Sequence, residues 1–515
     1  MQSPCEAGSD AAPQSVPETK GTFCPQARRR YVLIAAILAS ALGFIDGSVV
    51  SIALPAIRAD LGASLVDAQW ISNAYALTLS ALILVGGAAG DRFGMRRAFV
   101  AGIGFFIATS LLCAFAPNAP FLIGVRALQG VGAALMVPGS LAIIAKAYPK
   151  AERGRAIGIW AAASALTTAL GPVIGGVVLS AFDDSVWRAI FAVNLPLGGL
   201  AIFLLLAKVP DDTPTDKRKL DIGGAALATI ALGSLAYGLT SGAGGVGPVA
   251  FIVVGLVVLA IFLWWEAKTD APMMKLSLFS IAAFSGANAA TFCLYFALSG
   301  ILFFLPMLLI AGWGVSEAQT GFIFLPLSAA IALLSGFVGR LADRIGPRLP
   351  IAGGSLVVAL AFAGLALLVG SGVRQFWTGV FPLMVLMALG MALVVSPLSS
   401  AVMTAVEDDD TGAASGINNA VSRIAGLVAV AMLGVVVAGR YAAVVGDMSG
   451  VPGFGEPGNL AADTEALRIA ASDAAFAAIA WVTAALSLAA ALIAWMTTPG
   501  IGSEVPAADA REAEI

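Results

Sequence analysis

The stretch "GAAGDRFGMRR", residues 87–97, sets Asp91, Arg92, Arg96 and Arg97 between two long apolar runs. Nearly the same words return at 339–348 as "GRLADRIGPR". Each acid, Asp91 and Asp343, lies about 60 residues past the start of its own set of apolar runs, so the two stretches mark an internal repeat. In each copy the charged loop falls between the second and third runs of a set of six. The pattern is one of duplicated halves, with two runs inserted between them.

Composition sets the solvent. Of 515 residues, 59% are hydrophobic and 11% charged, whereas a soluble domain carries about 25% charged residues. Runs of about 20 apolar residues are long enough to cross roughly 30 Å of hydrocarbon as helices. Membrane barrels instead show short alternating segments. The runs are 31–54, 66–89, 98–116, 120–145, 154–180, 188–207, 221–240, 248–265, 281–310, 318–340, 350–370, 376–405, 412–438 and 474–497. The fold class expected is an all-α polytopic membrane protein.

The same composition excludes several functions. Net charge is −3, and the basic residues cluster at span ends, so no nucleic-acid partner is expected. The chain has no histidine, which removes the usual proton carrier near neutral pH and the commonest metal ligand. Cys5 and Cys24 lie in the N-terminal tail and Cys113 and Cys293 in spans, without metal-ligand spacing. No metal site, disulfide framework, nucleophile–base set or phosphate loop is legible, so neither an enzyme nor a cofactor is expected. "RRR" at 28–30 before an apolar run resembles the start of a signal peptide. That run is too long and lacks a clean cleavage site before Pro55, so it reads as a retained first span.

Lysine and arginine mark the cytoplasmic loops of membrane proteins. With the N-terminus inside, the basic residues left outside are Arg58, Arg188, Arg374, Arg440 and Arg468, while Arg126 and Arg423 lie within spans. Every other basic residue falls inside, so both termini are expected in the cytoplasm. The domains read as a disordered tail (1–30), a six-helix bundle (31–207), two inserted helices with linkers (208–280), a second six-helix bundle (281–497) and a tail (498–515). The outer loop, 439–473, carries no functional signal.

Charge inside the bilayer is costly and marks function by default. Asp46 is the one acid deep in an expected span, accompanied by Arg126 and Arg423. At 1.5 Å per residue Asp46 lies roughly 13 Å from Pro55 and Arg126 roughly 9 Å from Pro120, depths that an arginine side chain bridges. An acid beside arginine is pulled in two directions, since desolvation favours its neutral form and the cation its charged form. That arrangement suits a proton-coupling device; a permanent ion pair fixing two helices is the alternative.

The chain resembles the major facilitator superfamily, and within it the fourteen-span drug:proton antiporter family. The resemblance rests on "FIDGSVVSIALP" (44–55), "GAAGDRFGMRR", "RALQGVGAA" (126–134), "GPVIGG" (171–176), "WRAIFAVNLPLG" (187–198) and "GAASGINNAVSRIAG" (412–426). It departs at Met95, where a basic residue is usual, and at Thr167, where a glycine is usual. It implies the major facilitator fold, two six-helix bundles plus two inserted helices, with spans one and four in contact around Asp46 and Arg126. It also implies a gating role for Gly87, Asp91, Arg92, Gly94, Arg96 and Arg97, and for the repeat at Asp343 and Arg344. Asp91 would cap the start of span thirteen near Thr411 and Gly412, while the arginines pair with Glu407, Asp408, Asp409 and Asp410 or with lipid phosphates. Positive-inside charge with turn residues is the plainer reading. The antiporter motif comprises Gly158, Gly171, Pro172, Gly175 and Gly176, which suit either a bending fifth helix or close packing.

Asn73, Tyr75, Asn194, Asn288, Tyr295, Asn418 and Asn419 are polar groups within apolar runs. They divide between cavity lining and interhelical hydrogen bonds. Arg423, roughly 16 Å into span thirteen, adds a positive charge near mid-membrane, unless backbone carbonyls neutralise it or it lies outside the cavity. The function expected is proton-coupled antiport exporting lipophilic small molecules from the cell, across the inner membrane, driven by the proton gradient. The partners are lipid, substrate and protons; accessory export subunits are unknown. An importer of a metabolite and a transport-inactive sensor on the same scaffold are the rivals.

Overall fold

The computed structural model describes residues 23–212, 220–241, 246–269, 272–407, 410–446, 448, 450–458 and 460–499. Most of the two expected tails, and Asp408 and Asp409, lie outside the described residues. Fourteen helices among the described residues are long and apolar enough to span a membrane. In the first half they are α1 (Gln26–Leu61), α2 (Leu65–Phe93), α3 (Met95–Ala114), α4 (Ala119–Ala147), α5 (Glu152–Ala181) and α6 (Asp184–Lys208). The inserted pair is α7 (Ile222–Thr240) and α8 (Gly247–Lys268). The second half is α9 (Ala282–Gly312), α10 (Glu317–Ile345), α11 (Arg348–Gly370), α12 (Phe376–Thr404), α13 (Thr411–Val445) and α14 (Ala462–Thr497).

Several boundaries differ from the sequence expectation, each for a physical reason. Helix α1 takes in Arg28–Arg30 and runs through Pro55 to Leu61. A proline costs a spanning helix only one hydrogen bond, which neighbouring groups can replace. Asp46 stays deep, near the middle of the longer α1. Helix α14 begins at Ala462, because Arg468 and Asp473 are both buried against partners and need no water. The outer loop expected at 439–473 shrinks to 446–461.

Small residues set the packing inside the first half. A Cβ on Gly132 of α4 would sit 2.8 Å from the Phe106 amide nitrogen of α3, so glycine lets the two backbones touch. Helix α2 starts with a capping box, in which Ser64 Oγ accepts from the Asp67 amide and the Asp67 carboxylate accepts from the Ser64 amide. Helix α4 starts at Asn118, whose side chain accepts from the Phe121 amide.

The two halves share one apolar core at the end away from the charged 87–97 loop. Val49, Leu54, Ile71 and Phe191 pack there in one cluster with Ile301, Phe304, Leu308 and Phe454. At the loop end the first half has a separate core, including Phe99, Ile103, Met136 and Ile144. Polar contacts reinforce the shared end. Arg58, on α1, is 2% exposed; it donates to the Phe454 carbonyl at 2.6 Å and pairs with Glu456. Gln69 of α2 donates to the Val430 carbonyl of α13 at 2.5 Å. Arg468 holds the same loop from the other side, donating to the Glu456 and Ala311 carbonyls at 2.8 Å. The 446–461 loop thus ties the first half to the second.

Candidate functional site

The buried charge expected in the first half is present as a network. The Arg126 guanidinium donates to Asp46 Oδ2 at 2.6 Å, and both side chains are almost wholly buried. Arg126 also donates to the Ile71 carbonyl at 3.0 Å and to Gln129 Oε1 at 2.6 Å, while the Tyr75 ring lies under it at 4.4 Å. Gln129 Nε2 donates to Asp46 Oδ1 at 3.2 Å and to Ser110 Oγ at 2.8 Å. Each oxygen of Asp46 therefore accepts one hydrogen bond. Breaking a buried pair by removing one partner costs about 3–5 kcal/mol, so the network resists separation unless a proton neutralises the acid.

Gln129 and Ser110 are not among the residues that the sequence singles out. The signal for Gln129 is its spacing of three from Arg126, which places both on one face of α4. Ser110 carried no signal beyond being a hydroxyl inside a span. Asn194 belongs to this inner network: its Nδ2 donates to Ser110 Oγ at 3.1 Å, and it is fully buried. It is interhelical glue between α6 and α3, not cavity lining.

The other polar candidates divide between helices. Asn418 of α13 donates to Asn288 Oδ1 at 3.2 Å and to Thr291 Oγ1 at 2.8 Å on α9. Asn419 is exposed and donates to its own helix at Ser415. Asn73 is buried with its Nδ2 unpartnered. Arg423, half-buried, stands beside Tyr75 and Tyr295, and its Nε is buried without an acceptor. No carboxylate among the described residues pairs with it. Tyr75 thus lies in the field of both cations, with its ring against Arg126 and with Arg423 beside it across the boundary between the halves.

In the 87–97 loop several charges find partners within the first half or just after it. Arg96 and Arg97 pair with Asp211, in the segment after α6, while Asp408 and Asp409 lie outside the described residues. Asp212 accepts from the Met95 and Arg96 amides at 2.8 and 2.9 Å, capping α3. Being held by Arg96 and Arg97 keeps the Asp211 carboxyl below the ordinary aspartate range. Asp91 pairs with Lys146 of α4 at 3.0 Å, and Asp410 with Lys275. Arg92 lies over the Phe93 ring at 5.5 Å. Gly87 is not the point of close approach, since a Cβ there would lie 4.0 Å from Pro138. Its neighbour Gly86 abuts the Ala134 carbonyl of α4 instead. Gly94 has φ +94°, a conformation open to glycine, and Gly346 in the repeat has φ +78°.

In the glycine–proline stretch of α5, Gly171 and Gly175 face Ile45 and Val49 of α1, and Gly176 meets the Glu317 carbonyl of α10. A Cβ on Gly321 of α10 would lie 2.7 Å from the Pro172 carbonyl. Gly158 has open space around it. Helix α5 runs unbroken through Pro172, so the motif is built as a close-packed seam joining α5 to α1 and to the second half.

A model of the Major Facilitator Superfamily matches residues 36–430. The multidrug resistance protein Stp of Mycobacterium tuberculosis is 35% identical over 416 residues, covering 79% of this chain and 75% of that one. The methylenomycin A resistance protein of Bacillus subtilis is 34% identical over 418 residues, covering 78% of this chain and 87% of that one. Among solved structures, a bacterial homologue of the human lysosomal transporter Spinster, in an inward-facing and unoccupied conformation, superposes with a TM-score of 0.63. It is 17% identical, and the match covers 92% of this chain and 99% of that one.

Proposed function

The chain belongs to the Major Facilitator Superfamily, and from that premise we propose that it is a proton-coupled antiporter exporting lipophilic small molecules across the cell (inner) membrane. Both termini face the cytoplasm in this reading, which makes the shared core and the 446–461 loop the external closure. The observation that carries the proposal is the Asp46–Arg126–Gln129 network, fully buried in the first half. The resistance proteins among its relatives support the direction of transport and the type of substrate.

Asp46 is the proton carrier. Ionised, it neutralises Arg126. When it takes a proton, Arg126 loses its counter-charge but keeps the Ile71 carbonyl, Gln129 and the Tyr75 ring as partners. That residual hold lowers the cost of the neutral state, so one acid can bind and release protons without histidine. Tyr75, against Arg126 and beside Arg423, carries the change toward the second half. Asp91 with Lys146, and the α3 cap at Asp212, brace the loop that moves with gating. The test is a substrate panel on everted membrane vesicles with proton movement as the readout. Substrate-dependent proton release from acidified vesicles supports the proposal, and substrate uptake with no proton flux overturns it.

A further inference from the structure

Away from Asp46, the inserted helices bury a second pair of acids. Glu266, in the last turn of α8, is 3% exposed, and its Oε2 accepts from the Met274 amide at 2.9 Å. Asp221 precedes α7; its Oδ1 accepts from the Gly224 amide at 2.8 Å and from Trp265 Nε1 at 3.0 Å. The remaining oxygens, Asp221 Oδ2 and Glu266 Oε1, are both buried and have no donor among the described residues, Lys217, Arg218 and Lys219 lying outside them. They meet above Gly224, where an added Cβ would strike Asp221 Oδ2 and lie 2.7 Å from Glu266 Oε1. Their surroundings are apolar: Ala81 of α2 and Ala228 and Phe262 of the inserted pair form a small cluster with Met273 and Met274. Among nearby cations, Lys268 is exposed and Lys275 is engaged with Asp410.

Two ionised carboxylates do not stay in contact without a cation between them, and each acceptor buried without a donor costs about 1–3 kcal/mol. One proton removes both penalties: it makes one acid neutral and turns it into a donor to the other. We propose that Asp221 and Glu266 share a single proton at neutral pH, forming a second proton-holding site outside the Asp46 network. The shared proton locks the ends of α7 and α8 together and, through the Met274 amide, fixes the segment that leads into α9. Losing it leaves two facing negative charges and loosens that junction.

The test is infrared titration of the purified full-length protein in the Asp46→Asn background, which removes the deep acid of the first half, with the buried Asp473 common to every sample. A neutral-carboxyl C=O band should persist at neutral pH and disappear in both Glu266→Gln and Asp221→Asn. In each variant the new amide supplies the hydrogen bond in place of the proton, so folding is kept. Thermal stability of the unsubstituted pair should fall as pH rises through loss of that band, and should be flat over the same range in Glu266→Gln. A band unchanged in both variants, or none at neutral pH, overturns the proposal. So does loss of the band on adding Na⁺, Mg²⁺ or Ca²⁺ with a gain in stability, since the occupant would then be a cation.

Discussion

The two halves carry the same loop signature and handle charge in opposite ways. Both loops turn on a glycine with positive φ, Gly94 and Gly346. In the first half the loop is braced by Asp91 with Lys146, Arg96 and Arg97 with Asp211, and Asp212 on the start of α3. In the second, Asp343 and Arg344 are exposed and make no ion pair among the described residues, and Arg348 stacks on Trp495 at 4.2 Å. The contrast continues at depth. The first half holds Asp46 against Arg126, whereas the second offers an amide and hydroxyl set, Asn288, Thr291 and Asn418, with an arginine that has no acid. The shared signature therefore specifies a turn. The charge chemistry comes from partners on other elements, Lys146 on α4 and the acids after α6, and the halves differ in those partners.

The sharpest way to break the comparison is to erase the first half's acid. Asp46→Asn should reduce proton-driven export to background while the protein inserts and folds. Arg126 then lacks its counter-charge, so a double Asp46→Asn, Arg126→Gln variant should be more stable to heat than Asp46→Asn alone, by part of the ~3–5 kcal/mol typical of a broken buried pair. pH-dependent export persisting in Asp46→Asn would remove this acid from the coupling role.

Next in size is the contrast between loops. Asp91→Asn should slow turnover about tenfold, the effect of roughly 1.4 kcal/mol on a conformational equilibrium, with substrate binding little changed. Asp343→Asn should stay within about twofold of the parent, as expected for an exposed charge without a partner. Parallel transport and equilibrium-binding assays decide it, and equal losses in the two variants would mean the halves gate alike.

A smaller effect is expected at Arg423. With Asp46 ionised, the three deep charges leave one net positive charge, and with it protonated, two. The unmodified protein should therefore transport dicationic dyes poorly relative to neutral, zwitterionic or anionic amphiphiles, and Arg423→Ala should admit dications several-fold better, since a half-buried cation with no acid beside it among the described residues repels them. Dye efflux that is robust before the substitution and unchanged after it would place Arg423 outside substrate selection.

The smallest change belongs to Asp211. Its carboxyl titrates below the unfolded value because Arg96 and Arg97 hold the charged form. The stabilisation is therefore present above the ordinary aspartate range of about 4 and is lost as pH falls through the lower folded value. Asp211→Asn should lower Tm slightly at neutral pH, less so in high salt because the acid is exposed, and match the parent once both carry a neutral group. A difference that persists at the lowest pH would mean that packing, not charge, is lost.

Fourteen spans were legible because each apolar run exceeds what a soluble helix needs. Their ends were not, where burial replaced water: Pro55 sits inside α1, and Asp473 lies inside α14 with Arg374 and Trp313 as partners. The burial of Glu266 is not legible in the sequence, because the apolar run stops at Trp265 and Lys268 follows, which reads as an exposed helix end. Asp211 and Asp212 are visible as acids, but nothing local says that they fold back onto α3.

The amino-acid sequence by itself determined the class of molecule, the count of spans, the repeat and the identity of the deep charges Asp46, Arg126 and Arg423. These follow from composition and from the cost of charge in hydrocarbon, which act residue by residue. Only the tertiary structure decided which charges meet: Arg126 with Asp46 and Gln129, Arg96 with Asp211, Arg58 with the 446–461 loop, and Glu266 with Asp221. Such pairings join residues far apart in the chain, and they form only once helix packing has fixed the depth and facing of each side chain.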